Sequence, residues 1–356
     1  MSQRILVLNP GSTSTKISIF DGEKEAVRVT LRHSESDLGK FATIADQHEY
    51  RESFVLGFLQ ENNIQLNSIN AIVGRGGVLK PLPGGTYKVN KEMCEFLKCA
   101  KHGEHASNLG ALMAKSISEK INVPSFIVDP VVVDELSAEA RIAGHPHFER
   151  ISIFHALNQK AVARNVATRI NKSYDDCNFI VAHIGGGISV GAHKNGKVID
   201  VNNALDGDGP FSAERSGGLP VGQLVETCFS GKYTKQDVVK MIKGRGGVVA
   251  YLGTNDMIEV EKRIDSKDEK ATSIFNAMCY QISKEIGACA AVLDGKVDRI
   301  IITGGVANDK RLVDYIQSKV SFIAAIEVVP GEEEMKALAL GALRVLNNEE
   351  KAKEFN

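Results

Sequence analysis

Residues 4–22 read RILVLNPGSTSTKISIFDG, and this stretch decides the architecture of the chain. Ile5–Leu8 is an unbroken apolar run that predicts a buried strand. Lys16–Phe20 alternates polar and apolar residues, which predicts a second strand. Pro10 and Gly11 require the chain to turn between the two. A Walker loop would need a second glycine and a following helix, so any phosphate would be bound here by amides and hydroxyls at the mouth of a hairpin.

The same pattern returns 174 positions later. Aligning Asn9 with His183 (183 − 9 = 174) also superposes the apolar runs before them and the glycines after them. A second pair of similar segments reads AIVGRGGV at 71–78 and RIIITGGV at 299–306. Two repeated elements in the same order predict a duplicated fold, with a ligand cleft between the halves to which each contributes a hairpin loop.

The predicted elements alternate between strands and helices, which favours an α/β fold. The length of 356 residues allows about two domains. We place the first domain at residues 1–150, completed by a C-terminal helix at 335–356, and the second at residues 151–334.

Composition and charge exclude several classes of function. The net charge of −1 gives no reason to expect binding to nucleic acid or to an anionic membrane. The longest apolar runs are too short to span a bilayer, and no targeting segment is recognisable. Six cysteines form no CxxC pair. They are typical of reduced core residues, so we expect a cytoplasmic protein.

Three groups of polar residues fall where predicted strands end, which is where α/β folds bind ligands. The first group offers hydrogen-bond donors, the second consists of arginines in glycine-rich loops, and the third is acidic. Glycine lets a backbone approach phosphate closely, and guanidinium groups match carboxylate and phosphate geometry. Carboxylates together with substrate phosphates are the usual ligands of Mg²⁺. The groups are Asn9, Ser12, Thr13 and Gly185–Gly187; Arg75 and Arg215; and Asp129 with the glutamates at 332–334.

Together these groups indicate phosphoryl transfer, although each has a simpler alternative. A loop arginine is often only a surface residue, and Asp129 before Pro130 could merely terminate a strand. His105 and His155 could be ordinary histidines near helix starts. The spacings of His102 with His105 and of His145 with His147 fit no zinc motif.

Nine motifs in order give the chain a resemblance to the acetokinase family, within the actin, sugar-kinase and Hsp70 ATPase superfamily. The resemblance extends over essentially the whole chain and implies duplicated actin-like ATPase domains of the ribonuclease H-like type, with ATP bound in the cleft between them. The motifs are NPGSTSTK, VGRGGVLKPLPGG, EHASNLG, IVDPVVVDEL, SIFHALNQKAVAR, HIGGGISVG, LDGDGPFSAERSGG, ITGGVAND and GEEEMKALALGALRVL.

The resemblance also implies roles for individual residues. Arg75 and Arg215 would neutralise the substrate carboxyl and the transferring phosphoryl group, and His155 would donate to an equatorial phosphoryl oxygen. Asp129 would orient Mg²⁺, with Glu334, or alternatively Glu332, as the second carboxylate. The remaining matches are a first phosphate loop with Asn9, Ser12, Thr13 and Lys16; a nearby His105; a second phosphate loop with His183, Gly185, Gly186 and Gly187; and nucleotide contacts by Asp256, Gly304, Gly305 and Asn308.

The activity that the resemblance implies is reversible phosphorylation of a short-chain fatty acid by ATP, with Mg²⁺, in a homodimer or higher homo-oligomer. The second loop reads HIGGG where acetate kinases have HLGNG, and the chain is shorter than theirs. Both departures favour butyrate as the acid. Acetate, propionate or a branched acid such as isobutyrate stays open, because one methylene changes affinity by only about 1–3 kcal/mol. A non-enzymatic alternative is an ATPase switch like actin or a chaperone.

Overall fold

The computed structural model describes residues 2–356, which divide into two compact units. Unit 1 consists of the chain up to Val133 together with Glu333–Asn356, and unit 2 is Asp134–Glu332. From the sequence we predicted boundaries after residues 150 and 334. The last helix therefore belongs to unit 1.

Unit 1 contains a six-stranded sheet. Its strands are β1 (Arg4–Pro10), β2 (Ser14–Asp21), β3 (Lys24–Arg32), β4 (Ala71–Arg75), β5 (Thr86–Lys88) and β6 (Ser125–Val128). They lie in the order β3-β2-β1-β4-β6-β5. Strands β1 to β3 are antiparallel, whereas β1, β4 and β6 run parallel. Residues 86–88 form β5 because their backbone pairs with the edge of β6.

Unit 2 contains a five-stranded sheet with the same arrangement. Its strands are β7 (Asn178–Ile184), β8 (Ile188–Lys194), β9 (Lys197–Val201), β10 (Arg299–Gly304) and β11 (Ile326–Pro330), in the order β11-β10-β7-β8-β9. Adding the repeat distance of 174 to the bounds of β1 gives those of β7 (4 + 174 = 178; 10 + 174 = 184). Strand β10 pairs parallel to β7, as β4 does to β1. The repeat in the sequence therefore corresponds to a repeat in sheet topology.

Helices cover the sheets. In unit 1 they are α1 (Glu35–Leu38), α2 (His48–Glu61), α3 (Lys91–Cys99) and α4 (Asn108–Ile121). In unit 2 they are α5 (Ala138–Arg141), α6 (Ala156–Arg169), α7 (Val221–Phe229), α8 (Lys235–Ile242), α9 (Val248–Leu252), α10 (Met257–Asp265), α11 (Glu269–Val292) and α12 (Lys310–Val320). The final helix α13 (Glu334–Leu346) returns to unit 1.

Close packing fixes the strand that carries Arg75. A Cβ added to Gly74 would lie 2.1 Å from the carbonyl oxygen of Gly110, and one added to Gly110 would lie 2.3 Å from that of Arg75. Only two glycines allow β4 and α4 to approach this closely. The end of β4 is therefore held firmly against a helix.

Candidate functional site

In unit 1, three predicted site residues lie at the carboxyl ends of neighbouring parallel strands. Asn9 is on β1, Arg75 ends β4 and Asp129 follows β6. The register places Leu8 beside Gly74 and Arg75 beside Val128. Ligands of open α/β sheets bind outside this edge. The sheet thus brings together residues that are far apart in the sequence.

Arg75 is bound by a carboxylate from the last helix. Its Nη2 lies 2.9 Å from Oε1 of Glu334, and its Nη1 donates to Oε2 at 3.0 Å. Nδ2 of Asn9 also donates to Oε2 of Glu334, at 2.7 Å. Such a bidentate pair fixes the plane of the guanidinium group. Glu334, predicted to bind a metal, therefore orients Arg75 and Asn9 in this structure.

The loop between β1 and β2 is held from behind by Arg51, a residue that sequence reasoning missed. Its side chain is 1% exposed. Nη1 donates to the carbonyl oxygens of Gly11 at 2.7 Å and Ser14 at 3.1 Å, and Nη2 donates to that of Ser12 at 2.8 Å. One buried cation therefore binds three carbonyls of the loop. Their interaction with Arg51 fixes the conformation of the predicted phosphate loop.

The other unit 1 candidates differ in their surroundings. Ser12, Thr13 and Lys16 are exposed, and Lys16 is the cross-strand partner of Asn9, so both side chains lie on the same face of the sheet. His105 accepts a hydrogen bond at Nδ1 from the amide of Ser107, at 3.2 Å. Desolvation of the ring, and then the charge of Arg75, lower the pKa of His105.

Asp129 is 1% exposed and has a left-handed backbone with φ of 36°. Its Oδ1 accepts from the amide of Gly85 at 2.6 Å, and its own amide donates to the carbonyl of Gly85 at 3.0 Å. A left-handed non-glycine residue is strained and usually persists where its surroundings require it. This reciprocal pair locks the turn that follows β6.

In unit 2, the loop between β7 and β8 contacts Arg215. A Cβ at Gly187 would lie 2.0 Å from Nη1 of Arg215, so any other residue there would displace the guanidinium from this position. The same Nη1 donates to the carbonyl of Ala204 at 2.7 Å. Ser212 links the two segments, because its hydroxyl donates to the carbonyl of Gly186 at 2.6 Å and accepts from the amide of Arg215 at 3.1 Å. Burial lowers the pKa of Arg215, although Glu214 and Asp206 oppose this.

His155 and His183 stack with their ring centroids 3.7 Å apart and their planes 9° from parallel. Nδ1 of His183 lies 2.7 Å from Oδ1 of Asn158, which can only accept, so Nδ1 donates. Nε2 of His183 lies 2.9 Å from Oε1 of Glu332 without hydrogen-bond geometry. Nδ1 of His155 lies 2.8 Å from the hydroxyl of Ser189. The structure therefore joins two histidines that the sequence assigned to different motifs.

A cavity of about 710 Å³ in unit 2 gathers most of the predicted nucleotide residues. Its volume is in the usual range for a small-molecule site. Gly304, at the end of β10 with φ of 94°, immediately precedes the lining residue Gly305. The predicted residues that line the cavity are Gly185, Gly186, Asp256, Gly305 and Asn308.

The same cavity is lined by charged residues that sequence reasoning missed, Glu261 and Arg311 among them. They lie on amphipathic helices, where a charged residue is indistinguishable from ordinary solvent-facing surface. Arg51 did carry a signal. It shares the helical spacing of the buried Val55, Phe58 and Leu59, so an arginine occupies an apolar-face position of α2.

The carboxylates suit a metal ion that arrives with a substrate. No group of three His, Cys, Asp or Glu side chains that could hold a metal occurs in residues 2–356. Mg²⁺ is usually bound by one or two carboxylates, with water and phosphate completing its ligands. Asp129 and Glu334 offer hard oxygen donors of this kind, so the donor chemistry fits.

Solved structures with the same fold identify the architecture. The chain is similar to a crystal structure of Porphyromonas gingivalis acetate kinase, with a TM-score of 0.78 and 21% identity, covering 97% of this chain and 100% of that one. It is also similar to a propionate kinase from Francisella tularensis, with a TM-score of 0.72 and 19% identity, covering 95% and 98%. The fold is thus the two-domain actin-like ATPase fold, which confirms the predicted fold class.

The sequence comparisons are more specific. Residues 146–339 match the model of the acetokinase family. Butyrate kinase 2 of Clostridium acetobutylicum is 56% identical over 355 residues, which cover 100% of both chains. The chain therefore belongs to the acetokinase family, and the predicted resemblance is confirmed.

Two further observations concern the helices and the cysteines. In residues 2–356, no helix has the length and apolar character needed to cross a membrane. All six cysteines are free, and Cys177, Cys279 and Cys289 are buried. Burial raises the pKa of the Cys279 thiol to about 12, which makes it unreactive.

Proposed function

We propose that this protein transfers the γ-phosphoryl group of ATP to the carboxylate of butyrate, giving butyryl phosphate and ADP, and that the reaction is reversible. A carboxylate oxygen attacks the γ-phosphorus, and the bond to the oxygen bridging the β- and γ-phosphates breaks. The electron pair leaves with ADP. The nucleophile is already ionised at neutral pH, so the forward step needs no general base.

Membership of the acetokinase family makes the chain a carboxylate kinase and a user of ATP. The observation that carries the choice of butyrate is the 56% identity over full length to a butyrate kinase. The unit 2 cavity supports the nucleotide part of the proposal, because it combines the glycines after β7 with Asp256 and Asn308. Glycines suit phosphate oxygens, and a carboxylate suits ribose hydroxyls.

The remaining residues would bind and stabilise charge. In unit 1, Arg75 already binds one carboxylate, that of Glu334, in a bidentate pair, and it would release Glu334 to bind the carboxylate of the substrate. In unit 2, Arg215 lies against Gly187 of the second loop, where it would neutralise phosphoryl oxygens. His155 would donate to an equatorial oxygen. Fixed donors of this kind supply most of the stabilisation in phosphoryl transfer.

Mg²⁺ would accompany ATP and neutralise charge on its phosphates. Asp129 would hold this ion or its water ligands, with Glu334 as the second carboxylate. Asp129→Asn should therefore raise the Mg²⁺ concentration needed for half-maximal rate. The measurement is a metal titration at saturating nucleotide, and an unchanged titration curve would remove Asp129 from this role.

The protein would act as a homo-oligomer, at least a dimer. Helix α7 contains no buried residue, and it exposes 72% of Val221 and 86% of Phe229. Exposed apolar surface of this kind marks association sites, and a second copy of the chain is the proposed partner. Light scattering after size exclusion should show a dimer that Val225→Glu dissociates. Phe322→Glu, at another exposed apolar position, should leave it intact.

The test of the proposed function is trapping of the acyl phosphate with hydroxylamine. Purified protein is mixed with MgATP and acetate, propionate, butyrate or isobutyrate in turn, and the hydroxamate is measured. We expect the highest kcat/KM with butyrate. A higher value with another acid would replace butyrate but keep the carboxylate kinase, whereas ADP and phosphate without hydroxamate would indicate an ATPase switch.

A further inference from the structure

Behind His155, a chain of buried hydrogen bonds leads into the interior of unit 2. The hydroxyl of Ser189 lies 2.8 Å from Nδ1 of His155 and 2.8 Å from Nε2 of Gln159. Oε1 of Gln159 lies 2.9 Å from Nε2 of His193, whose Nδ1 lies 2.7 Å from the hydroxyl of Tyr174. Ser189, Gln159 and His193 are all 0% exposed.

The orientation of the Gln159 amide follows from a backbone carbonyl. Its Nε2 lies 3.0 Å from the carbonyl oxygen of Ser189. A carbonyl oxygen can only accept, so the amide atom facing it must be the nitrogen. The amide oxygen therefore faces His193, and because this oxygen also can only accept, Nε2 of His193 must donate.

His193 is neutral in these surroundings. Burial, and then the charges of Lys160 and Arg164, hold its pKa well below the usual value. A neutral imidazole has a single N–H, and Nε2 of His193 already carries it. Its Nδ1 must accordingly accept, so the hydroxyl of Tyr174 donates to it.

The same reasoning assigns the proton of Ser189. Nε2 of Gln159 donates one hydrogen to the Ser189 carbonyl and the other to the Ser189 hydroxyl. The backbone amide of His155 also points to this hydroxyl, at 3.4 Å. With two donors directed at its oxygen, the hydroxyl has its own proton left for Nδ1 of His155.

We propose that Tyr174, His193, Gln159 and Ser189 are positioning residues that hold His155 as the neutral tautomer with its proton on Nε2. This inference rests on the proposed function, in which His155 donates to a phosphoryl oxygen. The chain would present that donor before the substrate arrives and would prevent the tautomer in which Nε2 is an acceptor. An unprotonated Nε2 would repel the negatively charged phosphoryl oxygen, whereas a preorganised Nε2–H donor stabilises it.

The direct test is ¹⁵N NMR of protein labelled in the histidine rings, with His155 assigned by its absence from His155→Asn. Above neutral pH, the His155 signals of the native protein should show a protonated Nε2 and an unprotonated Nδ1. Protonation at Nδ1 would overturn the inference, and this measurement needs no variant that might fail to fold.

Ser189→Ala is the functional test. It should give a mixture of both tautomers and lower kcat about fivefold to tenfold, the loss expected for one hydrogen bond, with the KM values for ATP and butyrate unchanged. Ser283→Ala is the matched control, because Ser283 is also buried but donates only to the carbonyl of Cys279 in its own helix. An unchanged tautomer and kcat in Ser189→Ala would refute the role of Ser189.

The two proposals fail in different ways. A native His155 with its proton on Nε2 in a protein that makes no acyl phosphate would contradict the proposed function alone. An active carboxylate kinase whose His155 is protonated at Nδ1 would contradict the positioning chain alone.

Discussion

Replacing Arg51 by methionine removes a buried cation while keeping much of the volume of the side chain. Three loop carbonyls, those of Gly11, Ser12 and Ser14, then lose donors at 2.7, 2.8 and 3.1 Å. Oε1 of Gln47 loses donors at 2.8 and 3.1 Å as well. A buried acceptor without a partner costs about 1–3 kcal/mol. Relaxation and entering water reduce the sum, so we expect a loss of about 3–5 kcal/mol in the free energy of unfolding.

The loop itself should change along with stability. Without Arg51 the conformation of the loop is no longer fixed, so KM for ATP should rise in Arg51→Met. Arg51→Lys keeps the charge but not the planar guanidinium group with its several donors. It should therefore restore only part of the lost free energy of unfolding. The control is Arg28→Met. The native Arg28 side chain is half exposed and forms an ion pair with Glu25, so the free energy of unfolding should change by about 0.5 kcal/mol or less.

Thermal unfolding followed by circular dichroism, together with steady-state kinetics, provides the assay. If Arg51→Met retains both the native unfolding midpoint and the native KM for ATP, Arg51 does not hold the loop. A lower midpoint with unchanged kinetics would limit its role to stability.

Three further predictions concern Gly187, the two predicted site arginines and His33. Gly187→Ala places a Cβ 2.0 Å from Nη1 of Arg215. It should lower kcat by about tenfold or more, whereas Gly287→Ala, in open space, should leave kcat unchanged. Arg75→Ala and Arg215→Ala should each lower kcat/KM by about 10²–10³-fold with unchanged circular dichroism, and near-native turnover in either would exclude its role. Burial, and then a neighbouring arginine, lower the pKa of His33 to about 4. Between pH 6.5 and 4 the unfolded chain therefore binds more protons than the folded one. The free energy of unfolding should decrease by up to about 3 kcal/mol as the pH is lowered across this window. Urea unfolding of His33→Gln should lack this component.

The repeat was the feature most accessible from the sequence. It predicted that Ile5–Leu8 and Phe179–Ala182 are equivalent strands, because each is an apolar run before a turn that contains glycine, and the structure places them in β1 and β7. It also indicated the strand ends where Asn9 and Arg75 lie. These predictions depend on local pattern, which the sequence displays directly.

Long-range pairing was not accessible in the same way. Glu334 is 259 positions from Arg75, and its place in an acidic helix start already had a local explanation in the helix dipole. Gln159 and Ser189 are ordinary polar residues whose importance arises only when the fold brings Gln159 of α6 within hydrogen-bond distance of Ser189 of β8. Asp256 is the N-cap of α10 as well as a lining residue of the cavity, so its position alone would not have identified a site.

The rate of ATP-dependent butyryl hydroxamate formation by the purified protein with Mg²⁺ decides whether it is a butyrate kinase. This activity requires one hydroxamate for each ADP released, and almost none should form when Arg215 is replaced by alanine. Release of ADP and inorganic phosphate at the same rate with and without butyrate, and with no hydroxamate, would contradict it.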